Sequence, residues 1–518
     1  MYKVYREAID RLRRKISFAA IFIFVFAASS FYAQNGFWLK ADFHMHTTMS
    51  DADNTPGEVA EHALWEFGLD VIAISEHGGN WFRLNKEFQR TDEEGNVLLD
   101  GKDYDSIMAT DAKRFKNYSR TIQLRNNSFP EIQRLREKYP DKLIIQGLEW
   151  DIPGHDHGSM GILADEAEPI ASFHYMFDRR DTDYKGESNL TKQNEDVHAN
   201  ALTAIKYLES KYPNESYFIV NHPSRIMKYT IADFRDFNNA SPEISIGFEG
   251  IPGHQKSPGV RSEYNKELGD GILYNSHTFG GADYMLAKVG GLWDAMLGEG
   301  RKFWVFTNSD YHRTYSDFWP GEYAVNYIWA DSKDYKSLVK GMKSGNVFAV
   351  QNNLITDLAF SVEAGKQTAT MGQTLTVAEN SIVKITVKFI SSSKDSIKKI
   401  SSVDHVDLIC GDVTGLINPD SPEYNNPTNP TTKIEKQFFE SDWTADGNYS
   451  SFSYEIKADK SKYVRLRGTN ISLNTPNESD VNGNPLIDSL VGENSDLKAL
   501  ADLWFYSNPI FIKVKKSN

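Results

Sequence analysis

Short apolar runs alternate with amphipathic segments between residues 37 and 350. The runs are rich in Ile, Val and Phe and lack polar alternation, which is typical of strands buried on both faces of a parallel sheet. They are FWLKADF (37–43), DVIAIS (70–75), KLIIQGL (142–148), YFIVN (217–221), ISIGF (244–248) and KFWVFTN (302–308). Strands that alternate with helices indicate an α/β fold, and about seven such units favour a barrel over an open sheet.

The segments between these runs carry signals for helices. SFPEIQRLREKY (128–139) and ANALTAIKYLESKY (199–212) have apolar residues at helical spacing. Thr55-Pro56-Gly57-Glu58 predicts a helix start, with Thr55 as the cap and Glu58 closing a capping box, and Gly68 predicts the helix end. The polar stretches 80–130 and 172–200 predict insertions of loop and helix over one end of the fold.

The pattern changes after residue 355, where apolar and polar residues alternate. The alternating segments are DLAFSVEA (357–364), SIVKITVKFISS (381–392), HVDLICGDV (405–413), FSYEIKAD (452–459), KYVRLRG (462–468) and PIFIKVKK (509–516). Loops rich in Asn, Pro, Thr and Ser separate them, which is typical of an antiparallel sandwich. The sequence therefore predicts an α/β domain over residues 37–350 and a smaller antiparallel β-sandwich domain over residues 355–518.

The N-terminus has the pattern of an export signal. A basic region that ends at Lys15 precedes the apolar run ISFAAIFIFVFAASS (16–30), and Ala33 offers a small residue for cleavage. The run is shorter than the about 20 apolar residues of a membrane span. We therefore predict that residues 1–33 are a signal peptide and that the protein is exported to the periplasm or out of the cell. After cleavage no stable membrane span is expected. An uncleaved N-terminal anchor is the alternative.

Net charge and cysteine content exclude some classes of ligand and some kinds of metal site. A net charge of −14 argues against a general nucleic-acid binder, because a phosphate backbone would be repelled. Cys410 is the single cysteine, so an internal disulfide and a thiolate zinc site are both excluded. Any metal ion must be held by His, Asp and Glu side chains, which suits hard or borderline ions.

Residues able to bind metal follow the predicted strands. In chain order they are His44 and His46, His77, Glu149 with His155 and His157 soon after, His222, Glu249, and Asp310 with His312. In a barrel the carboxyl ends of the strands meet at one mouth, so these side chains are expected to lie close together. Positions i and i+2 on a strand face the same way, so His44 with His46, and Asp310 with His312, can each chelate as a pair. The sequence therefore predicts a metal site.

The order of these motifs resembles a known family. HMHTTMSD, SEH, GLEW with a following histidine, NHPS and NSDYH resemble the motifs of the PHP (polymerase and histidinol phosphatase) family. The resemblance covers residues 37 to 330, and it implies a distorted (β/α)7 barrel that binds two to three divalent ions. Residues 321–365 are similar to CehA/McbA-like hydrolases, in which a β domain follows the barrel.

The resemblance also implies a ligand set. His44, His46, Glu149 and Asp310 would hold one ion, Glu149 with His157 and His222 a second, and Asp51, His77 and His312 a third. The second motif is Ser75-Glu76-His77, which departs from the Thr-Asp-His often found there in the family. Either His155 or His157 could be the histidine that follows GLEW, and we choose His157 for its spacing to Gly161. The ions would be Zn, Mn or Fe. A metal-bound hydroxide would be the nucleophile, with no protein nucleophile, and no G-x-S-x-G elbow suggests one.

Cationic residues near the motifs suggest the substrate class. Arg225, His254, Arg261 and Arg313 follow the strand-end motifs, and an anionic small molecule such as a phosphate ester is favoured if they face the mouth. The alternative is that the arginines pair with nearby carboxylates. We therefore predict an exported metal-dependent hydrolase, with a phosphoesterase favoured. Hydrolysis of a carbamate, amide or ester at the same site is one rival, and a non-catalytic surface binding protein is the other.

Overall fold

The apolar runs of the first 350 residues form strands of one large sheet. The computed structural model describes residues 36–78, 120–181, 189–256, 277–392, 402–488 and 498–515. The predicted signal peptide (1–33), most of the first predicted insertion and Arg261 lie outside the described residues. The structure has a mixed α/β architecture with a large sheet and a separate antiparallel sheet.

The strands and helices are numbered in chain order. The strands are β1 (Phe37–Met45), β2 (Val71–Ile74), β3 (Leu143–Asp151), β4 (His157–Ile162), β5 (Ser216–Val220), β6 (Ser245–Ile251), β7 (Trp304–Thr307), β8 (Ala324–Ala330), β9 (Val347–Gln351), β10 (Ile355–Ala364), β11 (Gln367–Thr370), β12 (Thr374–Ala378), β13 (Ser381–Ser391), β14 (His405–Asp412), β15 (Lys433–Phe439), β16 (Thr444–Asp446), β17 (Tyr449–Ala458), β18 (Lys462–Thr469), β19 (Trp504–Ser507) and β20 (Ile510–Lys515). The helices are α1 (Pro56–Glu61), α2 (Arg120–Gln123), α3 (Phe129–Lys138), α4 (Glu168–Phe177), α5 (His198–Lys211), α6 (Ile231–Ala240), α7 (Tyr284–Ala287), α8 (Leu292–Gly298) and α9 (Tyr335–Ser344). Wider π turns at His62–Glu66 and Leu124–Ser128 extend α1 and join α2 to α3, and 3-10 turns lie at Pro422–Asn425 and Glu440–Asp442.

The six predicted strands and one additional strand, β4, lie side by side in the order β1-β2-β3-β4-β5-β6-β7. The pairs β1–β2, β2–β3, β5–β6 and β6–β7 are parallel, as expected for strands joined by helices. Within the described residues no strand pairing joins β7 back to β1, and an isolated bridge between Met45 and Tyr311 connects the two ends. The parallel series is thus present, but its closure into a barrel is not shown by pairing.

Strand β4 was not predicted, and it runs antiparallel between β3 and β5. Its sequence is HGSMGI, which has few large apolar residues because β5 occupies the space beside it. A Cβ at Gly158 would lie 2.3 Å from the Phe218 ring, and one at Gly161 would lie 2.7 Å from the Tyr217 ring. The glycines that remove the strand signal are therefore the ones that let β4 pack against β5.

The alternating segments beyond residue 355 form strands, but they do not all lie in one sandwich. Three of the six, β10, β13 and β17, lie in the separate antiparallel sheet together with the short strands β11 and β16, in the order β11-β10-β13-β17-β16. The others continue the large sheet, because β19 pairs with β9 and with β18. The expectation of purely antiparallel pairing is wrong for β12 and β20, which pair in parallel. Trp38–Asn518 forms one compact unit, and a domain boundary near residue 355 stays a prediction.

The predicted start of α1 is confirmed. The Thr55 hydroxyl accepts from the backbone N–H of Glu58, and the Glu58 carboxylate accepts from the backbone N–H of Thr55 at 2.7 Å. Pro56 occupies the first turn, and Gly68, in the left-handed region at φ +69°, follows the extended helix. In the chain segments that the structure describes, no helix has the length and apolarity needed to cross a bilayer.

A buried ion pair joins helix α8 to strand β18 of the large sheet. Asp294 of α8 accepts hydrogen bonds from Nε and Nη2 of Arg465 on β18, both at 2.8 Å. The hydroxyl of Tyr463 donates to the same carboxylate at 2.9 Å. Both ionic side chains are buried, so each charge depends on the other for compensation.

Candidate metal centre

Four of the predicted ligands form the tightest cluster of the site. His44 is the last residue but one of β1 and His46 directly follows the strand, Glu149 lies on β3, and Asp310 follows β7. The Nε2 atoms of His44 and His46 are 3.1 Å apart, and Asp310 Oδ1 lies 3.1 and 3.2 Å from them. Glu149 Oε1 is 3.1 Å from His44 Nε2. Ligands about 2.0–2.1 Å from a tetrahedral ion lie roughly 3.3 Å from one another, so these atoms have the spacing of a metal site.

Glu149 also contacts three further predicted ligands. Its Oε1 is 2.9 Å from Nδ1 of His157, the first residue of β4, and 3.2 Å from Nε2 of His222, which follows β5. Its Oε2 is 2.8 Å from Nδ1 of His77, which follows β2. The carboxylate therefore lies between the first cluster and a second group of imidazoles, the position expected of a ligand shared by two ions.

Asp51 lies at the centre of the third predicted group. Its Oδ1 is 3.5 Å from Nε2 of His77 and 3.3 Å from Nε2 of His312. His46 also has a ring nitrogen within 4.8 Å of these ligand atoms, so it borders two groups. All nine predicted ligands thus gather at one end of the parallel strands. Their role in binding metal stays a prediction.

The hydrogen bonding of His44 indicates what the first cluster can hold. Its Nδ1 lies 2.7 Å from Oε1 of Glu249, a carboxylate that accepts, so Nδ1 carries the hydrogen. If the ring is neutral, Nε2 then has no hydrogen and carries a lone pair. This lone pair faces the carboxylate oxygens of Glu149 and Asp310, which also carry lone pairs. Asp310 Oδ1 is buried and has no hydrogen-bond partner in the described part of the chain. A cation among these atoms would compensate all of them, so the donor set fits a metal ion.

Glu249 of β6 is a buried site residue that the sequence analysis placed at a strand end but not in the predicted ligand set. Its Oε1 accepts from Nδ1 of His44 and from Nδ2 of Asn308 at 2.9 Å. Its Oε2 accepts from the backbone N–H of His222 at 2.9 Å. Glu249 therefore orients two predicted ligands from different strands. Its position at a strand end was visible in the sequence, but no spacing rule separates an orienting carboxylate from a ligating one.

Glu76 binds two of the hydroxyl residues between His46 and Asp51, Thr47 and Ser50. Its carboxylate accepts from the backbone N–H of Thr47 at 3.2 Å and from the hydroxyls of Thr47 and Ser50. The side chain is 2% exposed, so these bonds form away from water. The Ser-Glu-His motif therefore anchors the loop that carries Asp51.

Three site residues have a backbone conformation that is rare outside glycine. The φ angles are +25° for His222, +60° for His254 and +46° for Asp310. Such conformations cost of order 1–3 kcal/mol each and persist where surrounding contacts hold them. The N–H of Asp310 donates to the carbonyl of His44 at 2.8 Å, and the N–H of His222 donates to Glu249. Asp310 and His312 therefore meet in a loop after β7, and not along a strand as predicted.

The charges of the cluster compensate one another strongly. Burial alone would lower the pKa of His44, but the carboxylates of Asp310 and Glu149 outweigh burial and raise this pKa well above its usual value. Burial alone would raise the pKa of Glu149, but His157 and His44 hold it well below its usual value. Burial alone would also raise the pKa of Asp310, but His44 and His254 hold it well below its usual value. His44 and the buried carboxylates of Glu149 and Asp310 therefore depend on one another for compensation of charge.

The cluster opens into a cavity of about 420 Å³. Several predicted ligands line it, together with His254, Ser316 and three arginines, Arg180, Arg225 and Arg313. The cavity is large enough for a small molecule, and its cationic residues come from separate loops. Arg180 was not predicted, because nothing in its local sequence distinguishes it from a surface arginine.

The arginines of the cavity also have carboxylate partners. Arg225 donates to both oxygens of Asp156, from Nη2 at 2.7 Å and from Nε at 3.1 Å. Arg180 Nε lies 3.0 Å from Asp151 Oδ1. Arg313 is held more loosely, with Nε 4.0 Å from Asp53 Oδ1. Of the three arginines, Arg225 therefore fits best the alternative that an arginine pairs with a nearby carboxylate. A role of Arg225, His254 and Arg313 in substrate binding stays a prediction.

His254 and His155 differ in their relation to the cluster. His254 Nε2 lies 3.0 Å from Asp310 Oδ2, and its Nδ1 lies 2.6 Å from Asp317 Oδ1, so it borders the cluster of predicted ligands directly. His155 turns away from Glu149, and its Nε2 lies 2.7 Å from Nδ1 of His198. Of the two alternatives in GHDHG, the structure thus places His157 in the cluster.

Comparisons with known proteins do not assign a family. No protein-family model matches the chain, and no curated protein matches it in sequence. A two-domain protein containing a predicted PHP-like metal-dependent phosphoesterase from Bacteroides vulgatus is 12% identical, and the match covers 88% of this chain and 95% of that one, with a TM-score of 0.36. A β-glucosidase from Listeria innocua is 11% identical, and that match covers 31% of this chain and 16% of the other, with a TM-score of 0.14. Because both TM-scores are below 0.5, inferences about function depend on the site residues themselves.

Proposed function

We propose that the protein is a metal-dependent hydrolase of the PHP type that acts on phosphate esters. The proposal includes closure of the parallel strands into a distorted (β/α)7 barrel. One observation carries it: eight of the nine predicted His, Asp and Glu ligands gather at ligand spacing beside a cavity lined by arginines, and the ninth, His222, lies 3.2 Å from Glu149. The order of the motifs along the chain supports the same class of enzyme.

The chain's own residues would act by binding and orienting. His44, His46, Glu149 and Asp310 would hold one ion, Glu149, His157 and His222 a second, and Asp51, His77 and His312 a third. Such ions supply Lewis acidity, which activates water for attack and takes up the charge that develops on a phosphoryl oxygen. Glu249 would keep the hydrogen of His44 on Nδ1 and so direct Nε2 toward the ion.

The arginines favour a phosphate ester over a neutral substrate. Arg313 is the cavity arginine that carboxylates hold most loosely, and its side chain is 33% exposed. Its guanidinium can therefore donate to a phosphate oxygen without first breaking a close ion pair. Arg225 and Arg180 add positive charge to the cavity wall, although Asp156 and Asp151 offset part of it. A carbamate or amide would gain little from these groups.

Activity assays separate the proposed reaction from its rivals. Purified protein supplied with Mn²⁺ or Zn²⁺ is tested on p-nitrophenyl phosphate, bis-p-nitrophenyl phosphate and an aryl carbamate. We expect metal-dependent turnover of a phosphate ester that is lost in Asp310→Asn. Turnover of the carbamate alone would contradict the phosphoesterase assignment. A lack of turnover of every substrate with either metal would favour a binding protein.

Export is a separate part of the proposal. It is supported by the basic and apolar segments of residues 1–33, which lie outside the described residues. Mass spectrometry of the mature protein is expected to find Gln34 as the first residue. An intact N-terminus in the membrane fraction would favour the uncleaved anchor.

A further inference from the structure

A second group of metal-ligating side chains lies apart from the nine predicted ligands. It consists of His155 in the loop between β3 and β4, His198 at the start of α5, and Asp233 in the first turn of α6. The distance from His155 Nε2 to His198 Nδ1 is 2.7 Å. Asp233 Oδ1 lies 3.9 Å from the first nitrogen and 3.7 Å from the second. These separations scatter around the roughly 3.3 Å between ligands of a tetrahedral zinc ion.

Neighbouring contacts aim these atoms at a common point. Nε2 of His198 lies 3.2 Å from a carboxylate oxygen of Asp236, so Nε2 carries the hydrogen and Nδ1 is a lone pair in the neutral ring. Oδ2 of Asp233 accepts from the N–H and the hydroxyl of Thr230, both at 2.7 Å, and Oδ1 is left facing the histidines. His155 is 4% exposed, so its ring is fixed by packing. A carboxylate that orients a ligating histidine is a common feature of zinc sites.

A hydrogen bond between the two imidazoles is the alternative explanation of the 2.7 Å contact. The capping box with Thr230 fixes the Asp233 backbone and Oδ2. Neither contact accounts for Oδ1, which is nearly equidistant from the two imidazole nitrogens. Each distance exceeds the roughly 2.7–3.2 Å of a hydrogen bond. A carboxylate oxygen at this separation from two imidazole nitrogens is instead the arrangement of three ligands around one cation.

We propose that His155, His198 and Asp233 bind a zinc ion, with water completing its coordination. The site does not depend on the proposed hydrolase activity. It would join the loop before β4 to the first turns of α5 and α6. The same loop carries Asp156, the partner of Arg225, and leads directly into His157. The ion would therefore stabilise the segment from which a predicted catalytic ligand and one wall of the cavity arise.

Zinc content tests the site directly. The full-length protein and the variants His198→Gln and Asp310→Asn are equilibrated with the same zinc buffer, and bound zinc is measured by mass spectrometry. We expect His198→Gln to bind one equivalent less than the native protein, and Asp310→Asn to keep that equivalent. His62→Gln is the matched control, because His62 has a carboxylate partner, Glu66, at 2.6 Å but belongs to no three-ligand group among the described residues. Equal zinc in His198→Gln and native protein would overturn the proposal.

A second readout distinguishes loss of the ion from loss of structure. In cobalt-substituted protein, the d–d absorption of this site should vanish in His198→Gln and persist in Asp310→Asn. If His198→Gln does not fold, Asp236→Asn retains all three ligands and changes the group that orients His198 and also accepts from the Tyr424 hydroxyl at 2.7 Å. We expect this variant to bind zinc at the site about 10–100-fold more weakly. Unchanged zinc affinity in Asp236→Asn, with circular dichroism like that of the native protein, would contradict the site.

Discussion

Replacement of Glu249 by glutamine should weaken metal binding without removing a ligand. The carboxylate accepts hydrogen bonds from His44 Nδ1, Asn308 Nδ2 and the backbone N–H of His222. An amide of the same shape has one accepting oxygen, so at least one of these donors would face an NH₂ group. A hydrogen bond to a charged group contributes about 1.5–3 kcal/mol. That range corresponds to roughly 10–100-fold in metal affinity, the usual effect of losing a carboxylate that orients a ligand.

The assay is a competition titration of apo protein with a chromophoric chelator, followed by turnover at saturating metal. Glu249→Gln should bind the tightest ion about 10–100-fold more weakly than the native protein. Glu363→Gln is the control, because Glu363 pairs with Lys384 on the exposed separate sheet and should bind metal like the native protein. Native metal affinity in a folded Glu249→Gln variant would refute the role assigned to this carboxylate.

Three further predictions concern other parts of the molecule. Asp310→Asn removes the carboxylate that contacts both His44 and His46, so it should lose at least one bound ion and about 100-fold or more in turnover; native metal content by mass spectrometry would contradict this. Asp294→Asn leaves the buried guanidinium of Arg465 uncompensated and should lower the free energy of unfolding by about 3–5 kcal/mol in a urea titration; a loss below about 1 kcal/mol would show that the pair is not buried as described. Burial raises the pKa of Cys410 from 9.0 to about 12, so its thiolate fraction at pH 8 is roughly a thousandfold lower than that of a free thiol. A disulfide reagent at pH 8 should therefore label Cys410 only after denaturation, and rapid labelling of native protein would be the opposing result.

The parallel strands could be predicted from sequence because burial on both faces leaves a simple pattern. DVIAIS and YFIVN each contain four consecutive apolar residues, and both form strands within a residue of the predicted bounds. Strand β4 lacks that pattern, since Gly158 and Gly161 accommodate aromatic rings of β5. The pairing of β19 with β9 depends on contacts between segments more than 150 residues apart, and no local periodicity encodes such a choice.

The nine predicted ligands could be found because strand ends of an α/β fold converge and each motif follows a strand. The surrounding residues left weaker signals. Glu249 and Glu76 are carboxylates whose partners lie far away in sequence, and Arg225 has the same local sequence whether it binds substrate or Asp156. The contact of His155 with His198 was also invisible, because loop and helix meet only in the folded chain.

Anomalous scattering from crystals grown with Mn²⁺ or Zn²⁺ tests the central claim most directly. The account predicts a strong peak within about 2.0–2.2 Å of His44 Nε2, His46 Nε2, Asp310 Oδ1 and a Glu149 oxygen. A second peak should lie on the other side of Glu149, beside His157 and His222. A map without a peak between these side chains, from protein whose solution metal content is equally low, would contradict a metal centre and with it the proposed hydrolase.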